Sequence, residues 1–329
     1  PGVPVSLTMA WLRPWTPHAD TIVYNQDKLT DMLALQIVSR RLEQAARSGG
    51  SFLQASVEQQ DVSRSADGTF VSIIPSNDDW QKALRDVRAI IEDAKAAPPS
   101  QAEIDREYAQ MDTALAIQVE NAPTEAGAKQ ATDLVSAVDI RETTVSPQAA
   151  VEIFRAGKPA MTPQKILDST QRLFSAGVFR AMLVTSKVEP GQDERLAAAV
   201  AAPGKAATNA RLSDKPVTMD DLPNLGAPGT VVSRSQVGLP GMETITFSNG
   251  VKLVLFANDA EPEKVRINVR FGHGQQAFSP VKPVPSWAGG YALMASGIGK
   301  LGQRELDELM IGRRMGMNFE TDDDAFEMQ

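Results

Sequence analysis

The side chains best suited to chemistry in this chain are two histidines, a glycine hexapeptide and two groups of acids. His18 follows Trp15-Thr16-Pro17 in a loop, and His273 sits between Gly272 and Gly274 in a turn after a strand. A zinc site needs several such ligands converging on one point. Neither histidine has a His, Asp or Glu three or four residues on, and the two lie at opposite ends of the chain, so neither is assigned to a metal. Gly297-Ile298-Gly299-Lys300-Leu301-Gly302 matches G-x-G-x-x-G, with Glu320 where a ribose-binding acid is expected. Against a dinucleotide site, residues 291–296 are rich in Ala and Met rather than a Val/Ile strand, and hairpin-type strands come before them. The plainer reading is that these glycines end one helix and let backbones approach closely.

The acid run Glu320-Thr321-Asp322-Asp323-Asp324 lacks the alternating ligands and central Gly of an EF-hand loop, and reads as a solvated strand end or turn. Glu103, Asp105, Arg106 and Glu107 fall on the first turns of a predicted helix, where acids suit the macrodipole. Paired-carboxylate catalysis there finds no other support. No G-x-S-x-G surrounds a serine, and Ser233 and Ser235 have no histidine nearby in sequence. Met294, Met310, Met315 and Met317 read as core filler. No residue is therefore assigned a catalytic, cofactor-binding or metal-binding role.

Composition bounds the rest. The chain has 329 residues, 42% hydrophobic and 22% charged, enough for two or more domains with their own cores. Its net charge of -8 argues against a nucleic-acid footprint, and the pairs Arg40-Arg41 and Arg313-Arg314 read as helix surface. With no cysteine, disulfides, thiolate catalysis and Cys-ligated zinc are excluded. No apolar run is long enough for a membrane span, and no signal peptide is visible. The sequence starts without Met and stops in a predicted strand, 317–328, so it is expected to be an excised fragment.

Residues 5–12 predict a strand ended by Arg13-Pro14, and 25–47 a long amphipathic helix stopped by Ser48-Gly49-Gly50. Strands at 52–60 and 69–74 follow, with Ala66-Asp67-Gly68 as their turn. Asn77 or Asp78 is expected to cap the next helix, which stops at Pro98-Pro99. Ser100-Gln101-Ala102-Glu103 is a capping box, Thr124 opens a further helix, and Ser146-Pro147 and Thr162-Pro163 each place Pro at a first helical position. A strand at 178–185 closes the series. Helices this clustered do not fit regular βαβ alternation, so the fold class is α+β, an antiparallel sheet flanked by helices. Residues 203–242 alternate Pro and Gly without apolar periodicity and read as a linker. Strands at 243–247 and 251–256 flank Ser248-Asn249-Gly250. A strand at 264–271, a helix at 287–296 and an amphipathic helix at 303–315 follow.

That last order, with Phe247-Ser248-Asn249-Gly250-Val251-Lys252-Leu253-Val254-Leu255, the strand running into Gly272 and the helix before Gly302, resembles the opening of a domain of the M16 (pitrilysin/insulinase-like) zinc peptidases. Active members carry His-x-x-Glu-His on that helix, for zinc and for activating water. Here the motif positions fall on Gly290, Leu293 and Met294, or on Ala288, Tyr291 and Ala292, none able to ligate zinc or act as a base. Residues 5–185, including Ser39-Arg40-Arg41-Leu42, resemble the zinc-free second domain of an M16 half.

The resemblance implies three segments: a zinc-free domain at 1–202, a linker at 203–242, and the start of a degenerate domain at 243–329. It implies a non-catalytic portion of an M16-type zinc metalloendopeptidase, contributing chamber wall, peptide binding and docking between halves. Zinc would sit in the N-terminal catalytic domain of the same parent chain. That domain and a peptide or unfolded polypeptide are the expected partners, and the periplasm the expected compartment. Two other readings stay open: a structural or binding module without peptidase activity, and a dinucleotide-binding oxidoreductase fragment built on Gly297 to Gly302.

Overall fold

The computed structural model describes residues 4–329 except 176, 188, 208–216, 260–263, 280 and 282–283, and except the side chains of Ile140, Trp287 and Met294. Its backbone divides into two compact units, Pro1–Pro216 with Ile311–Arg313, and Val217–Met310 with Arg314–Gln329.

The first unit is laid on β1 (Ser6–Pro14). Its side chains alternate, so that Leu7 and Met9 point to one face and Ser6 and Thr8 to the other. It sits inside a four-stranded antiparallel sheet with β2 (Phe52–Val62), β3 (Ala66–Pro75) and β4 (Val178–Val184), in the order β2-β3-β1-β4. Leu7, Met9, Ala55, Val71 and Ile73 form the buried face. Helices α1 (Ile22–Arg47), α2 (Trp80–Ala96) and α6 (Pro163–Leu173) cover it, through a core that includes Leu33, Ile37, Val38, Leu84, Val87, Ile91 and Ile166. Trp11 closes one end, edge-on to Phe174 at 5.2 Å and to Phe179 at 5.0 Å. Helices α3 (Gln101–Asn121) and α5 (Pro147–Gly157) form a further layer, where Tyr108 stacks on Phe154 at 4.5 Å. The α+β class with an antiparallel sheet is thus the observed architecture.

Several boundaries differ from the sequence expectation, each for a local reason. Pro14 belongs to β1, since a strand's last residue tolerates a missing N–H. The β2–β3 turn lies at Ser63 and Arg64, both with positive φ, while Ala66-Asp67-Gly68 is inside β3. The Asp61 carboxylate holds this turn by accepting from the Arg64 N–H at 2.5 Å, in place of the usual Asn-Gly chemistry. Asp79, not Asn77 or Asp78, caps α2 by accepting from the Lys82 N–H at 3.0 Å. Helix α4 starts at Gly127 (Gly127–Ile140), with Thr124 in a short 3-10 turn before it. The helix α7 (Gln192–Ala201) completes the unit.

The pair Arg40-Arg41 is not a helix surface. Arg41 is 1% exposed and lies in the core between α1, α2 and α3. Its Nε and Nη2 donate to the two carboxylate oxygens of Glu103 at 2.9 and 3.0 Å, and its Nη1 donates to Asp93 at 3.4 Å. Glu103 also accepts from the Ser100 N–H at 3.0 Å while its own N–H donates to Ser100 Oγ at 3.2 Å, so the capping box and the ion pair share one carboxylate. Arg40 reaches Glu107, which is buried, at 3.1 Å, and Gln110 at 2.6 Å. Arg313 and Arg314 lie beyond the last helix and are exposed.

The second unit carries two small antiparallel sheets, β5 (Val231–Gln236), β6 (Met242–Phe247) and β7 (Lys252–Phe256) in sequence order, and β8 (Val269–Phe271), β9 (Phe319–Thr321) and β10 (Phe326–Met328) in the order β8-β10-β9. Strand β5 thus falls inside the stretch read as a linker. The strand expected over 264–271 is only its last three residues. The strand expected over 317–328 is a hairpin that the acids interrupt. Gly250 takes φ +86 in the expected Asn-Gly turn. Helices α8 (Ser286–Ser296) and α9 (Gln303–Met310) lie between β8 and β9 in sequence, and α9 stops short of the expected 315.

Two outcomes follow for the buried charges. Arg41→Met strands two carboxylates in the core and should cost about 3–5 kcal/mol in urea denaturation, most of which the triple change with Asp93→Asn and Glu103→Gln should restore. Burial pushes the Glu107 carboxyl above its ordinary range, against the charge and hydrogen bond of Arg40. A raised folded value means that stability from this group is full below the unfolded value of about 4.3 and falls as pH rises through the folded value. Glu107→Gln should therefore flatten the decline of stability with pH just above that range, read as urea midpoints across a pH series.

Candidate functional site

Helix α8 is the stretch on which the sequence resemblance places the two alternative sets of zinc-motif positions. Its side chains are Ser, Trp, Ala, Gly, Tyr, Leu and Met, with no imidazole, carboxylate or thiol among them. Gly290 lies against β9, where an added Cβ would stand 3.2 Å from the Phe319 carbonyl oxygen, and Tyr291 and Leu293 are 78% and 43% exposed. A zinc ion finds no donor set here, and among the described residues no group of three His, Cys, Asp or Glu is placed to hold a metal.

The two histidines have local partners. His18 stacks on Tyr24 at 4.9 Å and shares a hydrogen bond of 3.1 Å with Thr16 Oγ1. His273 precedes a 3-10 turn, and its carbonyl accepts from the Gln276 N–H at 3.1 Å. Gly297 to Gly302 joins helix to helix through a tight bridge between Ile298 and Leu301, not strand to helix, and every described sheet is antiparallel. The cradle that a dinucleotide pyrophosphate needs is therefore not formed. The acid run ends β9 with Glu320 and Thr321 and forms the β9–β10 turn with Asp322 to Asp324. Arg270 meets Asp322, Asp324 and Glu327, and the backbone N–H groups of Gln275 and Gln276 donate to the carbonyls of Asp322 and Asp323. Gly274, at φ +52, has no room for a side chain, since a Cβ would stand 2.2 Å from the Asp322 carbonyl oxygen. Glu103 and Glu107 belong to the buried arginine network, and Asp105 accepts from Gln101. Met315 and Met317 are exposed, so they do not fill the core.

What the structure does bring together is the second face of the four-stranded sheet. Among the described residues, helices cover one face only. On the other, the register aligns Gln60, Gly68, Leu12 and Val178 in one cross-strand row; Glu58, Phe70, Ala10 and Arg180 in the next; and Ser56, Ser72, Thr8 and Met182 in the third. None of Leu12, Phe70, Val178 or Met182 joins the hydrophobic core. Ser56, Ser72 and Arg180 are exposed, and Met182 is 56% exposed. The face mixes hydroxyls, amides and aliphatic groups, and Glu58 and Arg180 are its charges across these three rows. Such a surface can contact a polypeptide without the desolvation cost that a charged one imposes.

Sequence reasoning assigned none of these residues, because Ser, Thr and Gln facing outward from a strand are the ordinary solvated pattern. The available signal was the alternation itself: Met9-Ala10-Trp11-Leu12 and Phe70-Val71-Ser72-Ile73-Ile74 put apolar groups on both faces, more than a fully solvated face would carry.

No protein-family profile matches the sequence, and no curated protein matches it. Solved structures do. The periplasmic protease PqqL from Escherichia coli superposes with a TM-score of 0.54 at 14% identity, over 98% of this chain and 36% of PqqL. A mutant of the ferredoxin protease FusC, in complex with Arabidopsis ferredoxin, gives 0.56 at 12% identity, over 99% of this chain and 36% of FusC. A predicted insulinase family protease from Yersinia pestis gives 0.51 at 12% identity, over 60% of this chain and 43% of its own. The chain thus spans 36% of the length of the first two. At such identities the likeness is one of fold: this chain has the α+β fold of the M16 (insulinase-like) peptidases.

Proposed function

We propose that this chain is the non-catalytic portion of an M16-type zinc metalloendopeptidase, and that the open sheet face of its first unit is chamber wall. The observation that carries this reading is a nearly uncharged sheet face left uncovered by helices, in a chain whose backbone follows a peptidase over both compact units. A metal-free wall aids proteolysis by positioning an extended chain and by excluding water from the cleavage site. On this reading residues 1–202 are a zinc-free domain, 203–242 join it to the next, and 243–329 begin a degenerate domain in which α8 has lost the zinc ligands. Zinc and the activated water then belong to a catalytic domain elsewhere in the longer polypeptide. That domain is the docking partner, and the substrate is a peptide or an unfolded chain. No described helix is long and apolar enough to cross a membrane, and the likeness to a periplasmic protease favours the periplasm.

A second reading, a structural or binding module with no peptidase activity, is favoured by the same lack of ligands on α8. The longer polypeptide decides between them. Stoichiometric zinc and cleavage of a quenched fluorescent peptide are expected, with Ser72→Arg/Met182→Arg raising KM about fivefold, roughly 1 kcal/mol, at unchanged zinc content. A metal-free, inactive polypeptide would leave the binding module as the correct reading, and an unchanged KM would remove the open face from the wall.

A further inference from the structure

The open face has a charge pattern of its own. Glu58 and Arg180 lie in a single cross-strand row, in which Glu58 is opposite Phe70, Phe70 opposite Ala10, and Ala10 opposite Arg180. Both charges are exposed. Glu58 has no hydrogen-bond or ion-pair partner among the described residues, and Arg180 donates through Nη1 to the carbonyl of its neighbour Phe179 at 2.9 Å. Between them the floor is apolar. The Phe70 ring lies over Gly68, so close that an added Cβ would stand 2.4 Å from the ring and 3.3 Å from Leu12. The missing side chain at Gly68 is what lets the ring lie down on the sheet.

Three strand spacings of about 4.8 Å separate the two charged positions, roughly 14 Å in all, and an extended chain covers that in about four residues at ~3.4 Å each. A chain running along the strands reaches only one of the charges. A chain crossing them reaches both, with the aromatic floor in between.

We propose that this row reads sequence: it takes an extended polypeptide that crosses the strands, with a basic side chain at Glu58, an apolar one on the Phe70 ring, and an acidic one at Arg180. The proposal rests on the reading of this face as chamber wall and names the segment that wall prefers, an apolar residue bracketed by opposite charges about four positions apart.

Fluorescence anisotropy with the 329-residue chain tests it. The probe is a labelled Gly/Ser peptide of about twelve residues, ~40 Å when extended, carrying Lys, Phe two positions after it, and Glu four positions after the Lys, so that all three side chains share one face. It should bind about fivefold tighter than the same peptide with Ser at both charged positions, since each exposed ion pair adds little. Phe70→Ser should weaken it by a similar factor. Glu58→Lys, at an exposed position with no partner to lose, should reverse the preference toward a peptide with Glu at both charged positions. Binding that neither substitution alters would overturn the reading strip and leave the wall reading standing. Failure of every peptide to bind would overturn both.

Discussion

One guanidinium holds the first unit's helical layer in register. Arg41 leaves water completely, and a buried cation is tolerated only where its donors and its charge are both met. Glu103 meets it in a two-point fork and Asp93 meets its remaining edge, which ties α1 to α3 and to α2 at one place. Glu103 is fixed in turn by the first turn of its own helix, through Ser100. A hydrophobic core alone tolerates sliding of one helix along another. A forked ion pair does not, because a shift of an ångström breaks both hydrogen bonds and leaves charge in a medium of low polarity.

Among the described residues, that fixed layer covers the sheet on one side. The helices packed by this network lie on the face of Leu7, Met9, Val71 and Ile73. The opposite face is then free to carry Ser, Thr and Gln beside Phe70 and Met182. A sheet that buries one face and leaves the other to solvent is a common antiparallel solution. Helix α8 of the second unit makes the complementary point. Its sequence, Ser-Trp-Ala-Gly-Gly-Tyr-Ala-Leu-Met-Ala-Ser, supplies no imidazole, carboxylate or thiol that could bind a metal.

Much of this architecture could be read from local chemistry. The capping box at Ser100, the Pro residues after Ser146 and Thr162, and the Asn249-Gly250 turn each satisfy a backbone requirement within a few residues, and the structure uses them as expected. The errors came where a side chain outside the usual pattern, near or far in sequence, changed the local rule. Ser63-Arg64 makes a turn normally given to Asn-Gly because the Asp61 carboxylate holds its backbone. Arg40-Arg41 looked like surface because charge is usually solvated, and only the approach of two other helices turns one of the two inward. The acids from Asp322 to Asp324 form a turn, as expected, but Arg270 across the small sheet is what neutralises them.

The amino-acid order by itself determined most helices and strands of residues 5–185, the antiparallel α+β class, and the lack of any metal-binding side chain on α8, since these depend on periodicity, caps and side-chain identity, while β5 and α7 escaped it. Tertiary structure decided which face of the sheet stays open, which arginine is buried, and that Glu58, Phe70 and Arg180 stand in one row. Those three come from separate strands, Arg180 from far along the sequence, and only hydrogen-bond register, a property of paired backbones, sets them side by side.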